Sequence, residues 1–255
     1  MNKANYVADI IVLMAGEGKR MYPLTKDRPK GLLPCKDGLT IFNHLVKSFS
    51  KEFKDICFVP VLGHGRKKVI EEIDLLKDQA NFQFISNPFY ASAGPVISLW
   101  LGLVQSKSNM VVIVNGDTLL RDDCIRNITT WMQNNQEHST LKMGLCVSKS
   151  HAYNKDDMKV QLSSDGELAY IGKGMSPGQS DYKSAGVLCI NNKLSKYLLV
   201  EKLNDLVMEE KAKDKKYYWH NVIVELKDKL KIDLIEVDND SWCEVDTNGD
   251  LNTLI

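Results

Sequence analysis

Ile10-Ile11-Val12-Leu13-Met14 runs directly into Ala15-Gly16-Glu17-Gly18-Lys19-Arg20-Met21-Tyr22-Pro23, and Arg28-Pro29-Lys30 follows. An unbroken apolar run of this length reads as a short strand buried on both sides. The two glycines stand at its end, where open α/β folds place their ligands. Gly16 and Gly18 let the backbone approach a phosphate closely and point N–H groups at it. Lys19, Arg20 and Lys30 set fixed positive charge beside that loop. A plain glycine turn would explain the two glycines, but not the whole run with its proline and second Pro-Lys. The pattern lacks the three glycines of a dinucleotide fingerprint, and no acid ends a strand about 20 residues on. It also lacks the GxxxxGK[ST] of a P-loop.

Outward from this loop, short apolar runs alternate with helical patterns. Thr40 is an expected N-cap for an amphipathic helix through Ile41, Leu45, Val46 and Phe49. Ile56–Leu62 reads as a second strand, with a Lys- and Glu-rich helix after Gly65. Phe82–Ile85 reads as a third strand and Met110–Val114 as a fourth, ending at Asn115-Gly116-Asp117; Val96–Val104 between them is too apolar for a surface helix. This alternation predicts a mostly parallel sheet covered on both faces. After Leu141 the pattern changes. Leu141–Val147, Met158–Leu162, Leu168–Ile171 and Gly186–Ile190 are expected strands, with a hairpin turn at Ser164-Asp165-Gly166. Helices are expected over Lys193–Glu210 and Tyr217–Lys227, and a last strand over Asp233–Val237 leads to Trp242-Cys243-Glu244-Val245-Asp246.

The predicted fold class is therefore α/β, a Rossmann-like, mostly parallel mixed sheet with helices on both faces and a β-rich acceptor lobe. With no repeat, low-complexity tract or linker, residues 1–255 are expected to form a single domain: about 1–140 as nucleotide-binding core, about 141–255 as acceptor part. No repeats are appended, so no fused second enzyme is expected. Hydrophobic residues make up 44% and charged residues 26%, and Lys+Arg and Asp+Glu are both 33. No net field steers the chain to nucleic acid or an anionic membrane, so neither is an expected partner and any anion must be held by a local site. The first apolar run is far too short for a signal or a membrane span, and a cytoplasmic protein is expected. Six scattered cysteines without CxxC or neighbouring His read as reduced core or surface thiols. His44, His64, His138 and His151 have no ligand spacing and read as surface or capping residues.

Two acids complete the candidate centre. Asp117 follows the strand Met110–Val114, and an acid at that end of a parallel strand points into the ligand crevice; Asp246 lies 129 positions later. Either alone reads equally as a solvated strand-end acid. The two can share a metal only if the fold brings them together.

These segments resemble the nucleotidyltransferases that activate sugar-1-phosphates and phosphocholine. That family's signature is GxGxRMxPLT followed by PK, and Gly16–Thr25 with Pro29-Lys30 reproduce it. The resemblance implies that the loop wraps NTP phosphates, with Leu13, Ala15, Gly16, Gly18, Lys19, Gly63 and Asn87 binding nucleotide. It further implies that Arg20 and Lys30 neutralise charge at the α-phosphate. The GD at Gly116-Asp117 and the late W-x-E-[IV]-D…DL element imply that Asp117 and Asp246 ligate Mg²⁺, which prefers oxygen ligands and keeps waters.

Asn87-Pro88-Phe89-Tyr90 with Ser98-Leu99, and Asp157-Met158-Lys159-Val160 with Gly166 and Ile171-Gly172-Lys173, resemble the phosphocholine and phosphonate cytidylyltransferase branch. By that resemblance Lys173 holds the acceptor phosphate with Lys159 beside it. Lys159 reads equally as a solvated strand lysine. Tyr217-Tyr218-Trp219 with His220 either caps an acceptor pocket, where an aromatic face suits a cationic head group, or packs its helix on the sheet; Trp219 is the candidate acceptor contact. Two segments depart from the branch: Ala93-Gly94-Pro95 stands where it has paired Asn, and Lys183-Ser184-Ala185-Gly186 where it often has an acid. The leading expectation is transfer of CMP from CTP to a phosphorylated small molecule with release of pyrophosphate. The alternatives are a sugar-1-phosphate acceptor with UTP, GTP or dTTP, and a silent nucleotide-binding homologue. A homodimer is compatible with the sequence.

Overall fold

The computed structural model describes residues 4–135, 140–149 and 153–251. His138 and His151 lie outside them. In chain order the strands are β1 (Ala4–Leu13), β2 (Phe53–Leu62), β3 (Asn81–Phe82), β4 (Ile85–Ser86), β5 (Val111–Asn115), β6 (Thr118–Leu120), β7 (Lys142–Ser148), β8 (Lys159–Leu162), β9 (Leu168–Gly172), β10 (Tyr182–Ile190), β11 (Lys231–Glu236) and β12 (Trp242–Glu244). The helices are α1 (Ile41–Glu52), α2 (Arg66–Leu76), α3 (Val96–Gln105), α4 (Asp122–Asn134), α5 (Lys193–Met208), α6 (Trp219–Leu226) and the single turn α7 (Asn248–Leu251).

One ten-stranded sheet takes strands from both halves of the chain: seven run in the order β11-β7-β10-β5-β1-β2-β3, β4 also pairs with β2, and β8, with β9 beside it, pairs with β10. β1, β2 and β5 are parallel; β10 runs antiparallel between β5 and β7, and β11 is parallel to β7. Alternation along the strands sorts the core into two layers. Ile10 and Val12 of β1 pack with Phe42, Phe49, Val69 and Ile128, under α1, α2 and α4. Ile11 points the other way, to Leu99, Leu199 and Val222 under α3, α5 and α6. Both faces are covered, so the central strands read as continuous apolar runs. Thr40 caps α1 as expected, accepting from the Asn43 N–H at 3.0 Å.

The structure corrects three expectations. Phe82–Ile85 is not one strand: β3 and β4 pair with β2 in a common register, Phe58 opposite Phe82 and Val61 opposite Ile85. That register sets the intervening residues against Pro60, which lacks the N–H a ladder needs. The helix expected from Tyr217 begins at Trp219, because the Asn221 side chain accepts from the Tyr218 N–H at 2.9 Å and caps it. β6 and β12 are additional strands, too short to show a period.

The β-rich lobe is the β8–β9 hairpin, docked on the first part of β10 through Tyr182 opposite Val160. β10 kinks at Gly186, whose φ of 71° is left-handed. A Cβ there would also meet the Asn115 Nδ2 at 2.8 Å. The kink lets one strand serve both the central sheet and the lobe. All six cysteines are free. No helix among the described residues is long and apolar enough to cross a membrane.

Candidate active site

The site lies at the carboxyl ends of β1 and β5, where the two-stranded β6–β12 ribbon joins them. Gly116 has no side chain because a Cβ would come within 2.6 Å of the Met14 Cβ and 2.7 Å of the Leu13 carbonyl oxygen. That contact seats Asp117 beside the glycine loop. β12 then pairs antiparallel with β6, with Glu244 opposite Thr118, and the Val245 N–H donates to the Asp117 carbonyl at 2.9 Å. This pairing closes the 129-residue gap between Asp117 and Asp246. Alternation turns Val245 inward, against Met21, Leu33 and Ile41, and leaves Glu244 and Asp246 on the cleft side.

Three carboxylates therefore converge. Asp117, Glu244 and Asp246 each offer an oxygen within 4.8 Å of the others. Lys30, from the turn after the glycine loop, donates to Asp117 Oδ2 at 2.9 Å and to Asp246 Oδ1 at 2.5 Å. Arg20 donates to the same Asp246 oxygen at 2.9 Å and to Asp156 at 3.1 Å. Burial opposes the Lys30 ammonium, but the Asp117 and Asp246 carboxylates outweigh it and raise its pKa. The Asp246 carboxyl is lowered: burial works against the anion, and Lys30, Arg20 and Lys173 overcome it. Glu244 is pushed up to about 8, by its position deep in the concave cleft first and then by the charges of Asp117 and Asp246. Water still reaches its carboxylate, so the site is a solvated hollow crowded by like charge. Such crowding favours a bound cation, and an all-oxygen donor set suits a hard one such as Mg²⁺.

A cleft of about 380 Å³ opens beside this cluster. Of the expected site residues, Leu13, Ala15, Gly16, Arg20, Asn87, Asp117, Lys173, Trp219 and Asp246 line it. Gly18, Lys19 and Lys30 line an adjoining hollow that shares Leu13, Gly16, Arg20 and Asp117 with it. Gly18 is left-handed at φ 60°, and Thr25 ties the loop back by donating to the Gly18 carbonyl at 2.8 Å. Lys19 pairs with Glu17 at 3.0 Å. Asn87 is buried, with its amide donating to Ser98 at 3.0 Å and its carbonyl accepting from the Phe89 N–H, so it braces the Asn-Pro-Phe-Tyr turn as well as facing the cleft.

Two expected residues stand apart. Gly63 supports the wall from behind, where a Cβ would meet the Ala15 carbonyl at 2.6 Å and Tyr90 at 2.7 Å. Lys159 is only 3% exposed, and its ammonium donates to the backbone carbonyls of Asn154, Asp157 and Lys173. It is neither the solvated strand lysine nor a lining residue of the cleft. It clamps the base of the lobe and holds the Lys173 backbone. Lys173 itself lines the cleft, with its ammonium 5.0 Å from the centre of the Tyr218 ring. Trp219 donates to the Asn115 side chain at 3.1 Å and stacks on His220, so it packs its helix on the sheet and lines the cleft at once.

The cleft also contains residues that the sequence did not single out: Tyr90, Asn115, Asp156, Ser184, Lys215 and Glu244 among them. Glu244 carried a signal, since in Glu-Val-Asp the two acids alternate around an apolar residue. Ser184 stood in the departing segment Lys183–Gly186 without being named as a site residue, and Asn115 is an ordinary polar residue that the β5 end places in the cleft. His44 and His64 are half-buried and cap no helix: His44 contacts Asp37, and His64 bonds the Thr25 carbonyl.

Known proteins share this arrangement of elements. A bifunctional protein GlmU of Methanocaldococcus jannaschii is 22% identical over 229 residues, 84% of this chain and 51% of that protein. The chain thus spans about half the length of that relative, and 26% of a GlmU from Methanococcus maripaludis. The choline-phosphate cytidylyltransferase of Streptococcus pneumoniae is 22% identical over 245 residues, covering 96% of this chain and 95% of that one. Among solved structures, the inositol-1-phosphate CTP transferase from T. maritima superposes with a TM-score of 0.75 at 20% identity, over 99% of this chain and 94% of that one. Residues 9–155, more than half of the chain, match the nucleotidyl transferase family, and the chain belongs to that family.

Proposed function

We propose that this chain transfers CMP from CTP to a phosphorylated small molecule and releases pyrophosphate. The observation that carries the reading is the β6–β12 ribbon, which sets three carboxylates beside Lys30 and Arg20 at the edge of the glycine loop. Asp117, Glu244 and Asp246 are the residues that would hold Mg²⁺. A bound Mg²⁺ neutralises phosphate charge and orients the triphosphate.

The remaining work falls to the chain's own side chains. Backbone N–H groups of the Gly16–Gly18 loop face the triphosphate. Lys30 and Arg20 are held against carboxylates, so their charge is positioned before substrate arrives. Lys173 orients the acceptor phosphate. An acceptor phosphate oxygen attacks the α-phosphorus in line; the bond from that phosphorus to the β-phosphate bridging oxygen breaks, and pyrophosphate leaves with the electron pair. A phosphate acceptor is already ionised near neutral pH, so no general base is required. CTP as donor is supported by the segments Asn87–Tyr90, Asp157–Val160 and Ile171–Lys173 and by the two cytidylyl-transferring proteins to which the chain is similar.

Pyrophosphate release with each of four NTPs, against a panel of phosphorylated acceptors, tests the reading. CTP is expected to exceed UTP by roughly tenfold or more in kcat/KM, because a site that hydrogen-bonds one base leaves groups unpaired with the other. A preference for UTP, GTP or dTTP would transfer the chain to the sugar-1-phosphate reading.

A further inference from the structure

We infer that Lys215 is a further nucleotide-binding residue, which reaches the β- and γ-phosphates of the donor from the wall opposite the glycine loop. The inference rests on the reading above and adds a residue to the same site.

Lys215 lies in the connection between α5 and α6. It lines the cleft, and it also lines the adjoining hollow of the glycine loop. Every other residue of that hollow lies within 13–31 or is Gly116 or Asp117. Lys215 is thus the one lining residue that comes from the second half of the chain, and it closes the hollow from across. Its seat is the turn Ala93-Gly94-Pro95, one of the two segments that depart from the cytidylyltransferase branch. The Gly94 N–H donates to the Ala212 carbonyl at 3.0 Å, and a Cβ on Gly94 would collide with the Asp214 carbonyl oxygen. The Lys215 ammonium then donates to the Ala91 carbonyl at 2.7 Å. Glycine at this turn lets the two backbones meet, and their contact carries a cation to the rim of the hollow.

The charges around the hollow give that cation its use. Four cations line it: Lys19, Arg20, Lys30 and Lys215. Lys19 is shared with Glu17, Arg20 with Asp156 and Asp246, and Lys30 with Asp117 and Asp246. On the same connection Lys211 pairs with Glu209 and Lys213 with Glu210. Among the described residues, Lys215 has a carbonyl partner and no carboxylate. An ammonium has three donors, so two remain for a ligand. A triphosphate keeps negative charge after one divalent cation is bound, and an ammonium that no carboxylate neutralises attracts it most.

In-line transfer fixes which phosphates these are. Lys173, the acceptor's cation, lines the cleft and not the hollow. The attacking oxygen therefore comes from the cleft, and the leaving pyrophosphate points away from it, into the hollow that Lys215 closes. As the bond to the α-phosphorus breaks, charge grows on the pyrophosphate, and Lys215 stabilises it there.

The test is calorimetric titration of the wild-type and Lys215→Met proteins with CTP·Mg²⁺ and with CMP, which has the same base, ribose and α-phosphate. Lys215→Met is expected to weaken CTP·Mg²⁺ roughly fivefold or more while leaving CMP within about twofold, a split that a general loosening of the loop would not produce. If CTP·Mg²⁺ binds the variant as tightly as the wild type, or CMP is weakened as much as CTP·Mg²⁺, the inference is overturned and the transferase reading stands. A wild-type protein that binds no CTP would sink both.

Discussion

The two ends of the cleft are built on opposite principles. At the ribbon end, charge is dense and cross-tied: Lys30 bridges Asp117 and Asp246, and Arg20 bridges Asp246 and Asp156. At the lobe end the Lys173 ammonium, set over the Tyr218 ring, overlooks the neutral polar groups Ser184, His220 and Asn115. On the proposed reading, the ribbon end would take the metal-bound triphosphate, whose charge must be matched closely. On the same reading, the lobe end would take the acceptor, through hydrogen bonds from neutral groups. The difference implies that substitutions at the ribbon end abolish chemistry, whereas those at the lobe end redirect or destabilise.

The sharpest way to break that contrast is at the carboxylates. Asp117→Asn and Asp246→Asn are each expected to lower kcat on the order of a thousandfold or more, with the circular dichroism spectrum unchanged. Near-wild-type turnover in either would remove that residue from the metal set. Lys30→Ala is expected to lower kcat on the order of a hundredfold and to change the KM for nucleotide much less, since charge grows on the α-phosphoryl oxygens in the transition state. Steady-state kinetics decides it: a raised KM with unchanged kcat makes Lys30 a binding residue.

At the lobe end the effects move to stability. Lys159→Met removes a buried ammonium that serves three backbone carbonyls, and is expected to destabilise the fold by about 1–3 kcal/mol in urea unfolding. The acceptor KM should shift by only about twofold. A large rise in acceptor KM at unchanged stability would return Lys159 to the binding site.

His220 gives the smallest and most graded effect. Its pKa is lowered from 6.5 to about 3 by burial and by Lys173. The unfolded chain therefore takes up a proton that the folded chain refuses. Stability is full above pH 6.5 and falls by roughly 1.4 kcal/mol per pH unit below it, until the folded value is reached. His220→Gln should flatten the urea midpoint between pH 6.5 and 4. An unchanged slope would mean that His220 is not held neutral.

These two ends also differ in how far they can be read from sequence. The glycine loop, Arg20, Lys30, Asp117 and Asp246 were marked as candidates by the family signature that Gly16–Thr25, Pro29-Lys30, Gly116-Asp117 and Trp242–Asp246 reproduce, and the structure brings them to one cleft. The parallel core was legible because doubly buried strands such as Ile10–Leu13 are apolar throughout. Glu244 was half legible: its alternation with Asp246 is in the sequence, but its pairing opposite Thr118 is not. β6 and β12 are three residues each, below the length at which a period shows. Ser184 stood in a segment marked only as a departure, and Asn115 is an ordinary polar residue that the β5 end places in the cleft. Lys159 shows the converse, a lysine whose motif context suggested a ligand and whose burial makes it a clamp.

The central claim is that Asp117, Glu244 and Asp246 form one divalent-cation site. Mn²⁺ titration followed by electron paramagnetic resonance, with CTP present, tests it without relying on turnover. The account predicts one tightly held Mn²⁺ per chain in the wild-type protein, and at least tenfold weaker binding in both Asp117→Asn and Glu244→Gln. Equal affinity in the wild type and both variants would contradict it.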